Sequence, residues 1–240
     1  MYVLVDYDNV PSALWSPGPV EAASTICAQL PAAVIGSEPD LVVRLYGGWK
    51  TNSISTQRAQ GLTTQLTTGH TFIPRPGHSP DAKKVRLVVE LALGPLGGNG
   101  VFATTLQTDR PLRSFRPKPN PAGCVNAQAC GLRSIGELRH STPCSEGDCA
   151  ITAKDVLVRD EQKMVDTLMV ADMAHIALID KHDDLVVVSS DADIWPGVLL
   201  AIKAGCAVTQ VHATPKIVTA SNLKSMLHPG VTSYYREISI

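Results

Sequence analysis

The chain predicts an α/β fold built on a doubly wound, mainly parallel sheet of about five main strands. Three observations carry that expectation. Short runs rich in Val and Leu, such as Tyr2–Val5 and Val186–Val188, are apolar at successive positions, as strands buried on both faces are. Segments with helical spacing stand between those runs. Two of the runs break directly into acids: Val5 is followed by Asp6-Tyr7-Asp8-Asn9, and Val188 by Ser189-Ser190-Asp191-Ala192-Asp193. Open α/β sheets keep their sites outside the carboxyl ends of the strands, so both acidic turns are expected at one edge.

Taken in order, strand one leads through Pro11 and the Pro17-Gly18-Pro19 turn into a helix over 20–30, where Val20, Ala23, Ile26, Cys27 and Leu30 share a face. Residues 41–46 form the second strand, closed by Gly47-Gly48-Trp49. The Thr-, Gln- and Ser-rich stretch 52–68 predicts a surface helix, and Phe72-Ile73-Pro74 a short extended piece. Val85 to Leu93 is apolar at every odd position, which favours a strand, although Val85, Val88, Val89 and Ala92 would also line up on a helix. A glycine-rich loop over 94–100 precedes a further strand over 101–107. Residues 155–158 predict the third main strand. Residues 163–179 predict a long helix with Met164, Val165, Leu168, Met169, Asp172, Met173 and Ile176 on its wide face. After 186–188 come a helix over 199–203 that Gly205 stops, a fifth main strand over 207–212 and a short helix over 222–227. The ending 234–240 shows no period that assigns it.

Of the 240 residues, 44% are hydrophobic and 18% charged, a globular balance; with aromatics at 5%, the core has to be aliphatic. A net charge of −1 gives no overall field toward a polyanion, so any grip on nucleic acid must come from a local basic patch. No apolar run approaches the roughly 20 residues of a membrane span. The first residues lack a basic stretch and are interrupted by Asp6 and Asp8, unlike a signal peptide. A cytoplasmic protein with no membrane partner is expected.

Residues 1–107 and 151–240 are read as one domain, and 108–150 as an insertion in which Pro, Arg, Gly and Cys dominate. Cys27 and Cys206 sit singly in apolar surroundings and read as core residues. Cys124, Cys130, Cys144 and Cys149 are spaced C-x5-C, thirteen residues, C-x4-C, in a segment too polar to make its own core. That pattern predicts a structural Zn²⁺ on four thiolates, with His140 as a substitute ligand. Two disulfides are the alternative, disfavoured in a reducing compartment. Arg110, Arg113, Arg116, Lys118, Arg133 and Arg139 lie in or beside the insertion and would suit contact with a nucleic-acid backbone.

The acids carry the chemistry. Asp6 and Asp191 are expected at one sheet edge, and Asp166, in the first turn of the long helix, could point back at them. Carboxylates gathered in one crevice repel unless a cation neutralises them, and an all-oxygen set suits Mg²⁺ or Mn²⁺. Such a site fits metal-assisted phosphodiester hydrolysis. Three blocks then carry a family likeness: Leu4-Val5-Asp6-Tyr7-Asp8-Asn9-Val10, Lys163-Met164-Val165-Asp166 with Asp172 beyond it, and Val188-Ser189-Ser190-Asp191-Ala192-Asp193-Ile194. Together with Leu45-Tyr46-Gly47, they resemble the NYN domain, a branch of the PIN-like metal-dependent ribonucleases. The likeness covers roughly 1–50 and 155–212; Ser190 stands where the family often has Gly, and the insertion has no counterpart. It implies an endoribonuclease with Asp6, Asp166 and Asp191 as metal ligands and Asp193 as a further residue of the catalytic site. By the same likeness Asn9 braces the first loop and Lys163 lies near the phosphate.

Two other readings stay open. Asp6-Tyr7-Asp8-Asn9-Val10 is also similar to the nucleophile loop of haloacid-dehalogenase-like phosphatases, with Asp6 attacking phosphorus and Asp8 as general acid. That reading leaves Asp166 without a role and finds Ile194, Trp195 and Pro196 where a further acid belongs. The other is a nucleic-acid-binding module without catalysis. Asp8 and Asp193 each also suit a turn or helix cap, and Asp172 an interior helix carboxylate. His175 and His212 read as isolated surface or core histidines.

Overall fold

The computed structural model describes residues 1–66, 70–75, 84–111, 143, 149–152, 158–213, 227 and 229–240. Its elements in chain order begin with β1 (Tyr2–Asp6), α1 (Ser12–Trp15), α2 (Pro19–Ala28), α3 (Ala32–Ile35) and β2 (Asp40–Tyr46). A small hairpin of β3 (Lys50–Thr51) and β4 (Ile54–Ser55) follows, then α4 (Gln57–Gln65), β5 (Thr71–Pro74), β6 (Lys84–Leu91) and β7 (Leu106–Pro111). The second half holds β8 (Val158–Gln162), α5 (Val165–His175), β9 (Asp184–Val188), α6 (Trp195–Lys203), β10 (Ala207–His212) and β11 (Tyr235–Ser239). Two compact units result: Met1–Thr105 with Gln162–Ile240, and Leu106–Glu161. The expected insertion spanned 108–150.

In the first unit, seven strands form one sheet in the order β11-β10-β9-β1-β2-β6-β5. All neighbours run parallel except β5, which is antiparallel to β6. The chain builds outward from β1 through β2 to β6, then returns to the other side of β1 for β9, β10 and β11. Strand order therefore reverses between β1 and β9, a topological switch point. The register sets Val5 beside both Leu45 and Val188, so the three strands end nearly level.

The pleat sends alternate side chains to two helical layers. Val3, Val5, Val43, Leu45, Val186 and Val188 pack with residues of α2, α3 and α4, including Ile26, Ile35 and Leu62. Leu4, Tyr46, Leu185 and Val187 pack with Leu168, Met169 and Met173 of α5 and Val198 and Ile202 of α6. Helices on both faces explain why these runs are apolar without a break. Gly197 sets the approach of α6 to α5: a Cβ there would lie 2.7 Å from Met173 Sδ and 3.1 Å from Val170 Cα. Gly205, at φ 91°, ends α6 in a conformation that other residues rarely adopt.

Several expectations are corrected. The sheet has seven strands rather than about five. Tyr235–Ser239, which showed no period, is an edge strand parallel to β10, half exposed and so without a continuous apolar run. Of the expected third main strand, 155–157 lie outside the described residues; Val158–Gln162 pairs with β7 in a separate two-stranded sheet. Residues 101–105 form a loop, not a strand, and Leu106 opens β7. The Phe102 amide donates to Leu93 O at 2.8 Å, and Thr105 Oγ1 accepts the Trp49 and Lys50 amides at 2.8 and 3.0 Å. The long helix starts at Val165, because Met164 takes φ 63°; Lys163 precedes it, its amide donating to Thr105 O at 3.0 Å. Past His175 the helix widens into a π-turn over Ile176–Asp180. α6 starts at Trp195, four residues early, with Pro196 in the first turn where its missing N–H costs nothing. The expected helix over 222–227 lies, but for Leu227, outside the described residues.

One buried charge pair locks α5 to the sheet. Asp172 is fully buried; Arg44 Nε donates to it at 2.9 Å, Tyr46 OH at 2.6 Å and the Leu96 amide at 2.8 Å. Arg44 also donates to the Glu90 carboxylate and the Gly94 carbonyl. Asp172 is thus an interior carboxylate whose bonds are spent on structure. We predict that Asp172→Ala, which leaves Arg44 Nε, the Tyr46 hydroxyl and the Leu96 amide without their shared acceptor, costs about 3–5 kcal/mol of stability in urea titrations. A loss below 1 kcal/mol would contradict that role.

Candidate metal centre

Asp6 closes β1 and Asp191 lies just past β9, so the switch point brings both acidic turns to one edge. Asp6 is 4% exposed. Its Oδ2 accepts hydrogen bonds from Asn9 Nδ2 and, at 3.1 Å, from Ser189 Oγ. Ser189 Oγ in turn accepts the Asp191 amide at 3.1 Å, so one hydroxyl joins the two turns. Asp191 Oδ1 accepts the Asp193 amide at 2.9 Å, the side-chain-to-backbone closure that Asp favours in turns.

The loop after β9 is also held from the side. Gln210 of β10 donates through Nε2 to Ser189 O at 2.9 Å, and Tyr235 of β11 donates to Gln210 Oε1 at 2.7 Å. His212 Nδ1 lies 3.0 Å from Ser190 Oγ, and its Nε2 lies 3.3 Å from Glu237 Oε1. Asp166 arrives from the opposite direction, in the first turn of α5, where the helix dipole favours an acid.

Carboxylate oxygens of Asp166, Asp191 and Asp193 lie within 4.8 Å of one another. Asp166 is pushed above the usual carboxylate range by burial, then by the charges of Asp6, Asp191 and Asp193. Burial also raises Asp6, with the Asn9 and Ser189 hydrogen bonds pulling the other way. Three oxygen donors at this spacing, with the charges of Asp191 and Asp193 raising the cost of ionising Asp166, fit a hard divalent cation.

The residues singled out from sequence thus fall into distinct places. Asp166, Asp191 and Asp193 converge, and Asp6 acts on Asp166 through its charge while its Oδ2 is engaged by Asn9 and Ser189. Lys163 stands just ahead of α5, outside any helix. Exposed Asp8 accepts from Arg58 and Gln162. His212 is buried between Ser190 and Glu237, and His175 Nε2 lies 3.2 Å from Asp180. Cys27, Cys206 and Cys149 are free thiols, the first two buried. Arg110 donates from Nε to Gln107 Oε1 at 2.7 Å within β7. Cys124, Cys130, Cys144, His140, Arg113, Arg116, Lys118, Arg133 and Arg139 lie outside the described residues. Sequence reasoning assigned no role to Ser189, Gln210 or Tyr235. The available signals were the hydroxyl two residues before Asp191 and a lone Gln inside an apolar strand.

Set beside known proteins, the chain matches no family model, no curated protein and no solved structure. Fold and site define an α/β protein with a carboxylate cluster at the switch point of a mostly parallel sheet. Among the described residues, no helix is long and apolar enough to cross a membrane.

The raised Asp166 gives a sign for stability. The folded state holds that proton more tightly than the unfolded chain, so ionisation weakens the fold as pH rises through the interval between the two values. The penalty is absent below the unfolded value and complete above the folded one. In EDTA at pH 7, Asp166→Asn should therefore raise Tm, by roughly 1–4 °C for a screened repulsion in a chain of this size. The gain should vanish near pH 3; a lower Tm at pH 7 would contradict the repulsion.

Proposed function

We propose that this chain is a metal-dependent endonuclease, acting on RNA in preference to DNA, that hydrolyses phosphodiester bonds at the Asp166, Asp191 and Asp193 cluster. The observation that carries the reading is the convergence of those three carboxylates within 4.8 Å at a sheet's switch point, with Asp6 adding charge. The likeness of the Asp6, Asp166 and Asp191 blocks to NYN domains of the PIN-like ribonucleases supplies the substrate class and the finer fold assignment. A bound Mg²⁺ or Mn²⁺ would polarise the scissile phosphate and lower the pKa of an attacking water.

The chain's own groups do the rest. Asp166, Asp191 and Asp193 hold the cation, and Asp6 orients Ser189 and with it the Asp191 amide. Asn9 keeps Asp6 in place. Lys163, next to the start of α5, serves phosphate binding by the family likeness. The phosphatase alternative asks Asp8 to donate a proton, yet Asp8 is exposed and bonded to Arg58 and Gln162. A structural Zn²⁺ on Cys124, Cys130, Cys144 and Cys149 belongs to the same reading; elemental analysis should find about one zinc per chain, lost in Cys124→Ser.

Purified protein should cut single-stranded RNA with Mg²⁺ or Mn²⁺ and stop in EDTA. Asp166→Asn and Asp191→Asn should each slow cleavage at least about 100-fold, and Asp6→Asn by about 10–100-fold as a supporting group. Asp8→Asn should be milder than either ligand variant. Full activity in Asp191→Asn, or turnover of a phosphate monoester without RNA cleavage, would sink the reading.

A further inference from the structure

Beside the β1 turn lies an open cavity of about 430 Å³ that the acidic cluster does not use; Tyr7, Asp8, Ser12, Trp15 and Arg58 line it. Its walls are flat. The Tyr7 ring stacks on Trp15 with centroids 4.4 Å apart and planes at 18°, and meets the edge of Trp49 at 5.3 Å. Trp15 Nε1 donates to Tyr7 O at 3.1 Å, which fixes the indole plane. The Arg58 guanidinium carbon sits 5.6 Å from the Tyr7 ring centre, and Nη1 bonds Asp8. Two stacked aromatics and a guanidinium plane, in a chain with only 5% aromatics, are a concentration of π-surface.

We propose that this cavity receives a base of single-stranded RNA, next to the phosphate held by the acidic cluster; the inference rests on the nuclease reading. Each base has a π-face, and stacking on aromatic or Arg planes contributes about 1–3 kcal/mol per base. Asp8 neutralises Arg58, so the cavity holds no unopposed cation to select a phosphate or carboxylate. The Asp8 carboxylate instead offers an acceptor to a base amino group, and Ser12 a hydroxyl. The volume falls in the range of small-ligand sites.

Position supports the same occupant. Tyr7 and Asp8 directly follow Asp6, so the cavity starts within about 4–8 Å of the Asp6 backbone. Tyr7 and Trp15 pack with the α2 and α4 layer, whereas Asp166 comes from the α5 layer on the opposite face. A strand laid over the carboxyl end of β1 meets the cluster on one side and the cavity on the other.

Intrinsic fluorescence tests this directly. Trp49 and Trp195 are 0% and 4% exposed, leaving Trp15 as the half-buried reporter. Titrating a short oligoadenylate into the full chain in EDTA should quench emission, and Trp15→Phe should abolish the change. Arg58→Gln and Ser12→Phe, both at exposed positions outside the cluster, should weaken binding at least about 5-fold. With Mg²⁺ they should raise KM by a similar factor and leave kcat nearly unchanged. Absence of quenching, or unchanged KM in both variants while Asp191→Asn abolishes cleavage, overturns the cavity and spares the nuclease reading. Quenching without cleavage supports the cavity and overturns the nuclease reading.

Discussion

Four carboxylates at one sheet edge are like charges that folding alone would push apart. Two unit charges at 4 Å repel by about 4 kcal/mol at an effective dielectric of 20, and by about 1 in bulk water. Asp166, Asp191 and Asp193 lie between those limits, half-buried or exposed, while Asp6 is nearly enclosed. The rest of the unit can be understood as what keeps them together. Asp6 is fixed by the last ladder position of β1, and Asp191 follows the neighbouring strand in register with it. Moving either apart would break the central pairing of the sheet. Short polar bonds through Ser189 then fix the remaining freedom of the loop.

Helix α5 divides its two acids between opposite roles. Asp166, in its first turn, faces other anions and is pushed toward protonation. Asp172, further along, is fully buried and takes donors from Arg44, Tyr46 and Leu96. The second acid anchors the helix to β2, and the close pass at Gly197 fixes it against α6. That anchoring holds Asp166 against repulsion from the cluster. The raised Tyr46 hydroxyl, buried beside Asp172, stays a donor for the same reason. Strands β10 and β11 play the equivalent part for the loop after β9, through Gln210, Tyr235 and His212.

How much of this was legible in the sequence depended on what each residue's signal was. The buried parallel strands showed as unbroken apolar runs because helices cover both faces, and the two acidic turns showed because they end those runs. Edge strand β11 was not legible: with one side open, Tyr235 is buried while Arg236 is exposed, and no apolar run develops. The start of α5 was misplaced because Met164 has a helix-compatible side chain but takes a left-handed backbone. The 101–105 loop reads as a strand by composition, yet its bonds go to Leu93, Trp49 and Lys50 across the fold. Polar partners of the site were the least legible. Ser189 and Gln210 act through contacts 183 and 21 residues apart in sequence, and no local period records such contacts.

The turn after β1 joins the cluster to its surroundings in four residues. Asp6 and Asn9 bond each other and face the acidic side through Ser189. Between them, Tyr7 stacks on Trp15 and Asp8 bonds Arg58 and Gln162. A single 3-10 turn, Tyr7–Asn9, produces this division, since three residues per turn bring the flanking Asp6 and Asn9 to one side. In an extended continuation of β1 the alternation would be strict, and Asp6 and Asp8 would share a face. Two neighbouring acids then have unlike environments, one buried among carboxylates and one exposed beside a guanidinium, because the backbone tightens immediately past the sheet.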